Sequence, residues 1–294
     1  GQGAASFVDF WEREEDAENE QVGGGPRDGR PTFFYVHGGG WKGGHARMTP
    51  HSPLLQALAA LGWQVVSCEY GKRAWPQHID DCLEALRFVV QLLHQEAAAR
   101  GRPGVPSICL GGASAGGHLA SLLAIRSVRE GLCKVDALVM FYPVLDLCDA
   151  AHATARSPFP LPPLGLRFRQ SFTTWFFERF VLRGRRELLE EADPLRRFDQ
   201  LMADQEAAAG EASPAARLPR TLIVHGTCDS VVPLEHSRRW IAALRAKDPD
   251  PTRHLLLPVP FARHTFEITA SFTVEAVLDG VVAWLAGGGG RPPS

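Results

Sequence analysis

The chain has 294 residues, of which 45% are hydrophobic and 22% are charged, and its formal net charge is −2. This near-balance of charge argues against nucleic acid or an anionic membrane surface as a partner, and the composition is typical of a globular protein. At this length a folded chain buries roughly 75% of its unfolded surface, so one large core needs neither a metal nor a disulfide.

The six cysteines include no Cys-x-x-Cys pair and no Cys/His spacing typical of a zinc site. Cys68 and Cys109 lie within apolar runs, where a free cysteine packs as a small hydrophobic residue. No uninterrupted apolar stretch reaches the roughly 18 residues that a membrane span needs. We therefore expect reduced thiols, no metal or other cofactor, no membrane span and a cytoplasmic location. The chain starts at Gly1 rather than methionine, which leaves room for a removed targeting segment.

Apolar runs typical of strands alternate with helix-like stretches along most of the chain. This alternation predicts an α/β fold with a mostly parallel, twisted sheet and helices on both faces. We predict strands over 32–36, 64–69, 107–110, 137–142, 221–224 and 254–259. We predict helices over 53–61, 78–99, 117–127, 235–246 and 274–285.

Two stretches interrupt this alternation. Residues 16–30 are polar and glycine-rich, which predicts a loop or the tip of a hairpin. Residues 147–219 hold a proline-rich segment, an aromatic cluster and helix-like sequence, and we interpret them as a lid-like insertion. We predict a single domain over 1–294, with its core at about 31–146 and 220–286 and a disordered tail over 287–294.

A serine stands between two glycines at the predicted junction of a strand and a helix, in Gly112-Ala113-Ser114-Ala115-Gly116. Glycines let the neighbouring backbone pack closely around such a tight turn, which then projects the serine hydroxyl from the edge of the sheet. The pattern alone is weak, because small-residue pentapeptides often arise by chance. Its position after an apolar strand favours Ser114 as a nucleophile.

A serine nucleophile needs a general base and an acid that orients the base. His264 lies in a loop beyond the last predicted strand, and Asp229 follows the strand before it. The order Ser…Asp…His is that of α/β-hydrolases and differs from the order in other serine-hydrolase folds. Asp146, which follows the strand over 137–142, is the rival acid. We interpret His118 as structural and His225 as bracing the turn that carries Asp229.

Three consecutive glycines follow the first predicted strand in His37-Gly38-Gly39-Gly40-Trp41. Without Cβ atoms, their N–H groups can converge on the oxygen that becomes negatively charged in the transition state. The N–H of Ala115, at the start of the helix after the nucleophile, is a further candidate donor. We expect His37 to brace the glycine loop without transferring a proton.

Aromatic residues predict where a substrate binds. Phe172, Trp175, Phe176 and Phe180 fall on one face of a helix within the insertion. Such a stripe is either the buried side of the helix or the lining of an acyl pocket beneath a lid. The predicted pocket residues are Trp41, Tyr142, Trp175 and Phe176.

Three motifs together resemble the α/β-hydrolase superfamily, specifically its hormone-sensitive-lipase-like and BD-FAE-like esterase branch. They are His-Gly-Gly-Gly-Trp at 37–41, Gly-x-Ser-Ala-Gly-Gly-His-Leu-Ala at 112–120 and His-Gly-Thr-x-Asp-x-x-Val-Pro at 225–233. The resemblance runs from about residue 32 to 285. It implies the α/β-hydrolase fold, a triad of Ser114, Asp229 and His264, and oxyanion-hole donors at Gly39, Gly40 and Ala115.

The chain also departs from this branch. Few residues precede the glycine loop, which leaves either a trimmed sheet or a cap replaced by residues 147–219. The common Tyr-Arg-Leu-x-Pro-Glu sequence is altered at 70–73 to Tyr-Gly-Lys-Arg, so details of the pocket do not carry over.

The resemblance implies a serine carboxylester hydrolase that acts on small to medium acyl esters. Two alternatives stay open. One is a kynurenine-formamidase-like amide hydrolase, because those relatives share the Ser-Ala-Gly-Gly-His pattern. The other is a non-catalytic receptor or binding protein on the same scaffold. The expected partner is a small-molecule ester or amide, and the sequence predicts no oligomeric state.

Overall fold

A computed structural model of the protein describes residues 8–11, 30–47, 52–99, 101, 107–148, 172–208, 219–268 and 271–287. Within these ranges one sheet has seven strands in the order β1-β3-β2-β4-β5-β6-β7. The strands are β1 Val8–Trp11, β2 Thr32–Val36, β3 Gln64–Cys68, β4 Ser107–Ala113, β5 Lys134–Phe141, β6 Arg220–Gly226 and β7 His254–Val259.

All six predicted strands are present and pair in parallel, which confirms the mostly parallel sheet. Strand β1 was not predicted, and it pairs antiparallel with β3 at the edge of the sheet. Four residues are too few to show the alternation of polar and apolar residues that predicts a strand. The hydrogen bonds to β3 stabilise β1 as a strand.

The five predicted helices are confirmed as α1, α2, α3, α7 and α8, and none of their ends is shifted by more than three residues. The helices are α1 Pro53–Ala60, α2 Gln77–Ala99, α3 Ala115–Glu130, α4 Phe172–Phe176, α5 Leu189–Ala192, α6 Pro194–Ala208, α7 Leu234–Lys247 and α8 Phe272–Ala286. Helix α4 continues with wider, π-helical turns over Phe177–Val181. No helix in the described ranges is both long and apolar enough to cross a membrane.

Helices cover both faces of the sheet. Successive strand residues such as Phe33 and Phe34 are fully buried and belong to opposite core clusters. Helices α1 and α8 pack over the cluster that contains Phe33, while α2, α3, α6 and α7 pack over the one that contains Phe34. This two-sided burial explains why the strands are nearly continuous apolar runs.

The described part of the predicted insertion belongs partly to the main core. Phe177 and Val181 after α4 and Phe198 of α6 are buried in the same cluster as helix α3. The bounds of the lid-like insertion and of the single domain stay predictions. The proline-rich segment, the loop over 16–29 and the tail from 288 lie outside the described residues.

The strand order explains where a site forms. Strand β3 lies on one side of β2 and β4 lies on the other, so the chain reverses its direction of winding between β2 and β4. Open α/β sheets bind ligands at the carboxyl ends of strands at such a switch point. The glycine loop follows β2 and Ser114 follows β4, so both lie at this point.

Candidate functional site

Ser114 occupies a strained turn between β4 and α3. Its φ of 55° and ψ of −119° lie in a region that non-glycine residues rarely adopt. The turn is tight because the backbone is packed closely around it. A Cβ on Gly116 would overlap the carbonyl oxygen of Val36, and one on Gly112 would overlap the carbonyl oxygen of Gly116. Glycine on both sides of Ser114 is therefore a steric requirement of this turn.

The structure brings the three predicted triad side chains together in one hydrogen-bonded row. The Nε2 atom of His264 lies 3.0 Å from Oγ of Ser114, and its Nδ1 atom lies 2.7 Å from Oδ2 of Asp229. With the proton on Nδ1, the ring donates to the carboxylate and accepts from the hydroxyl. This is the arrangement that a general base needs before it removes a proton.

Asp229 is held as a carboxylate by several donors. Its Oδ1 accepts the backbone N–H groups of Val231 and Val232, at 2.8 and 2.9 Å. Burial raises the pKa of this carboxyl, but hydrogen bonds from His225 and His264 outweigh burial and hold the pKa below its usual value. His225 also contacts Ser237 and the carbonyl oxygen of Val232, so its predicted role in bracing the turn is confirmed.

The rival acid Asp146 serves a different partner. Its Oδ2 lies 2.9 Å from Nη1 of Arg239, and its backbone N–H points to the ring of His236. Asp229, and not Asp146, is therefore the acid hydrogen-bonded to His264.

The glycine loop after β2 packs directly against the serine turn. A Cβ on Gly38 would lie 2.9 Å from the carbonyl oxygen of Ala113. Gly39 and Gly40 have φ values of 120° and 58°, which favour glycine. Within the described part of the chain, nothing accepts the N–H groups of Gly39, Gly40 or Ala115. These three predicted oxyanion donors therefore have N–H groups left over for a substrate oxygen.

His37 braces the glycine loop, as predicted. Its Nδ1–H donates to the carbonyl oxygen of Gly38 at 2.6 Å, and its ring stacks on Tyr70 with centroids 4.3 Å apart.

Glu69 accepts the N–H of Ala46 at 2.7 Å and forms an ion pair with Lys72. Burial raises the pKa of Glu69, but hydrogen bonds from His37, Lys72 and Ala46 lower it to about 2. Glu69, the last residue of the predicted strand over 64–69, was not predicted as a bracing residue.

Two of the predicted pocket residues are buried in the core. Trp41 is 2% exposed, and its Nε1–H donates to Nδ1 of His118 at 3.2 Å. Tyr142 is 1% exposed, its hydroxyl donates to Glu267, and its ring lies 4.5 Å from that of His264. Both side chains belong to the buried core clusters. His118 is structural as predicted, since burial lowers its pKa to about 3.

The aromatic stripe of α4 is not the buried side of its helix. Trp175 and Phe180 are exposed, whereas Phe177 is fully buried. The ring of Phe176 lies 3.7 Å from the position that a Cβ on Gly40 would take. This contact places Phe176 beside the predicted oxyanion loop. The side chain of Phe172 lies outside the described part of the structure.

One further side chain beside the row was missed by the sequence analysis. Glu267 follows His264 by three residues and is 9% exposed. A single glutamate in a short segment gives no sign of burial in the sequence. The only signal that could have indicated Glu267 is its position three residues after His264.

The described residues hold no cluster of histidine, cysteine and acidic side chains with the geometry of a metal site. All six cysteines are described and have free thiols, and Cys68 and Cys109 are buried as expected.

Residues 33–250 match a family model described as the alpha/beta hydrolase fold. The probable carboxylic ester hydrolase LipM of Mycobacterium tuberculosis is 30% identical over 287 residues, which cover 92% of this chain and 55% of LipM. The chain thus spans about half the length of that relative. Human hormone-sensitive lipase is 29% identical over 165 residues, which cover 54% of this chain and 14% of the lipase.

Among solved structures, a bacterial heroin esterase superposes with a TM-score of 0.67 at 19% sequence identity. The superposition covers 98% of this chain and 80% of the esterase chain. At this identity the likeness concerns the fold.

Proposed function

Because this chain belongs to the α/β-hydrolase family, in its hormone-sensitive-lipase-like branch, we propose that it is a serine carboxylester hydrolase. The observation that carries the proposal is the row of hydrogen bonds from Ser114 through His264 to Asp229. The name of LipM, a probable carboxylic ester hydrolase, supports the same reaction.

In the proposed acylation step, Oγ of Ser114 attacks the ester carbonyl carbon while Nε2 of His264 takes the hydroxyl proton. The carbonyl oxygen becomes an oxyanion that accepts the N–H groups of Gly39, Gly40 and Ala115. The tetrahedral intermediate then collapses, His264 returns the proton to the departing alkoxide, and an acyl-enzyme and an alcohol result.

Water completes the cycle by the same route. His264 removes a proton from water, the hydroxide attacks the acyl carbon, and Oγ of Ser114 leaves with that proton as the carboxylic acid departs. Throughout both halves the Asp229 carboxylate keeps the proton of the neutral ring on Nδ1 and stabilises the imidazolium. Trp175 and Phe176 are proposed to contact the acyl or alcohol group, because Phe176 lies against Gly40.

The test is turnover of p-nitrophenyl acetate and butyrate by the wild type and by Ser114→Ala. We expect the variant to lose activity by several orders of magnitude, because the nucleophile is absent. Ser121→Ala is the matched control: Ser121 is a buried serine on α3 that donates to the carbonyl oxygen of His118. Unchanged turnover in Ser114→Ala would refute the proposal.

N-formylkynurenine, assayed beside the esters, separates the proposed esterase from an amide hydrolase. We expect the ratio kcat/KM to favour the esters. A folded wild type that turns over neither kind of substrate would favour the remaining alternative, a non-catalytic receptor or binding protein on the same scaffold.

A further inference from the structure

Glu267 is a buried carboxyl that the proposed catalytic cycle does not use. It lies on a short helical turn, Phe266–Ile268, just after His264. Its Oε1 accepts the hydroxyl of Tyr142. Within the described residues no donor reaches its buried Oε2. A half-paired buried carboxyl carries a free-energy penalty, so packing alone does not account for a glutamate here.

Tyr142 connects this carboxyl to the imidazole. Its ring is tilted 55° to the ring of His264, with centroids 4.5 Å apart. Its φ of 36° is unfavourable for a bulky residue, and its backbone N–H donates to the carbonyl oxygen of Val224 at 2.8 Å. A strained backbone conformation after β5 thus holds the phenol of Tyr142 between Glu267 and His264. Strain of this kind concentrates at functional sites.

The titratable groups around Glu267 show which of them its carboxylate can stabilise. The titratable groups that face it are Tyr35, Tyr142, Asp229 and His264. Burial and the charge of Asp229 raise the pKa of Glu267, while Tyr142 and His264 lower it, and the net shift is upward. Of these groups, His264 is the one that becomes a cation during the proposed reaction, and it is the one that a Glu267 carboxylate stabilises.

We propose that Glu267 is a positioning residue for His264. Through Tyr142 it fixes the imidazole ring, and its carboxylate stands beside that of Asp229 as a second negative charge when His264 takes the serine proton. This inference rests on the proposed function.

The test compares Glu267→Gln with the wild type in ester hydrolysis across pH. Glutamine keeps an acceptor for Tyr142 but removes the charge. We expect kcat to fall about tenfold with KM little changed, because the lost interaction strengthens in the transition state. We expect the acid limb of kcat/KM to move to lower pH by about one unit, because an anion near the general base is gone. The melting temperature should stay equal or rise, because a half-paired buried charge is removed.

Asp248→Asn is the matched control. Asp248 is also buried, and it is bonded to His254 at the opposite end of β7, 3.0 Å from Nε2. We expect this variant to lose stability and to keep the wild-type pH profile. The shifted acid limb of Glu267→Gln would then be due to the position of Glu267 beside His264, and not to the loss of any buried carboxylate.

A folded Glu267→Gln variant with the wild-type kcat and pH profile would overturn the inference. If that variant does not fold, Tyr142→Phe replaces it: the inference expects a loss of kcat there, and an unchanged kcat would overturn it. These results are separate from a failure of the proposed function, which would appear as a wild type without ester turnover.

Discussion

At the scale of single residues, two aspartates follow adjacent strands, and their partners distinguish them. Asp229 bonds to His264 at 2.7 Å, while Asp146 bonds to Arg239 at 2.9 Å. An acid that orients the base affects catalysis, whereas an acid in an ion pair affects stability.

Asp229→Asn is predicted to lower kcat by about 10⁴-fold with little change in KM. The amide offers the ring either a donor or a weaker acceptor, so the imidazole loses its tautomer and its counter-charge. Asp146→Asn is the matched control and should stay within a few-fold of wild type. Steady-state kinetics on a p-nitrophenyl ester check both, and the reverse ranking would contradict the proposed role of Asp229.

The sequence predicted the residues of the hydrogen-bonded row because their signals are local. Ser114 has a glycine on each side for steric reasons, and Asp229 and His264 each follow a recognisable strand. Glu267 and Glu69 gave no local signal, because an acidic residue is expected at the surface until packing shows otherwise. The burial of Trp41 and Tyr142 was not predicted for the converse reason, since aromatic residues near a site suit a pocket and a core equally well.

At the scale of elements, Asp193 ties the start of the predicted insertion to helix α6. It is fully buried and stands just before helix α6, where its Oδ1 caps the N–H of Arg196 at 2.9 Å. Its Oδ2 accepts the N–H groups of Leu147 and Cys148, at 2.6 and 2.7 Å. One side chain therefore satisfies three backbone donors, two at the start of the insertion and one in the first turn of α6.

Asp193→Ala is predicted to lower the free energy of unfolding by about 3 kcal/mol, because it leaves these donors without an acceptor. Asp199→Ala, at an exposed position of the same helix, should change it by less than about 0.5 kcal/mol. Denaturant unfolding measures both values. Equal stabilities would show that the cap contributes nothing.

Element ends were predicted less well than element positions. Helix α3 continues to Glu130, where Gly131 ends it in a left-handed conformation with φ 61°. The wider turns over Phe177–Val181 were not predicted, and both end residues of this segment are fully buried. A change in helical pitch has no signature in apolar periodicity.

At the scale of the whole molecule, the buried acids around the site link stability to pH. The folded-state pKa of Glu69 is lowered to about 2, and that of Asp229 also lies below its usual value. A depressed pKa in the folded state means that, in acid, the unfolded chain binds more protons than the folded protein. The stabilisation is therefore complete above the unfolded pKa of the carboxyl and is lost as the pH falls toward the folded value.

Glu69→Gln is predicted to lower the free energy of unfolding at pH 7 by up to about 3 kcal/mol, the equivalent of its pKa shift. The difference from wild type should shrink steadily between about pH 4.5 and pH 2, because the unfolded wild-type chain takes up a proton on Glu69 there while the folded protein still holds it ionised. Denaturant unfolding at pH 7 and pH 3 checks this. A difference that is the same at both values would contradict the ionised, hydrogen-bonded state of Glu69.

The central claim, that Ser114 is an activated nucleophile, is tested most directly by mass spectrometry after treatment with a fluorophosphonate probe. The predicted result is a single adduct on the wild type, mapped to the peptide that carries Ser114 and absent from Ser114→Ala. A folded wild type that takes no label, or a label that persists in Ser114→Ala, would contradict the account.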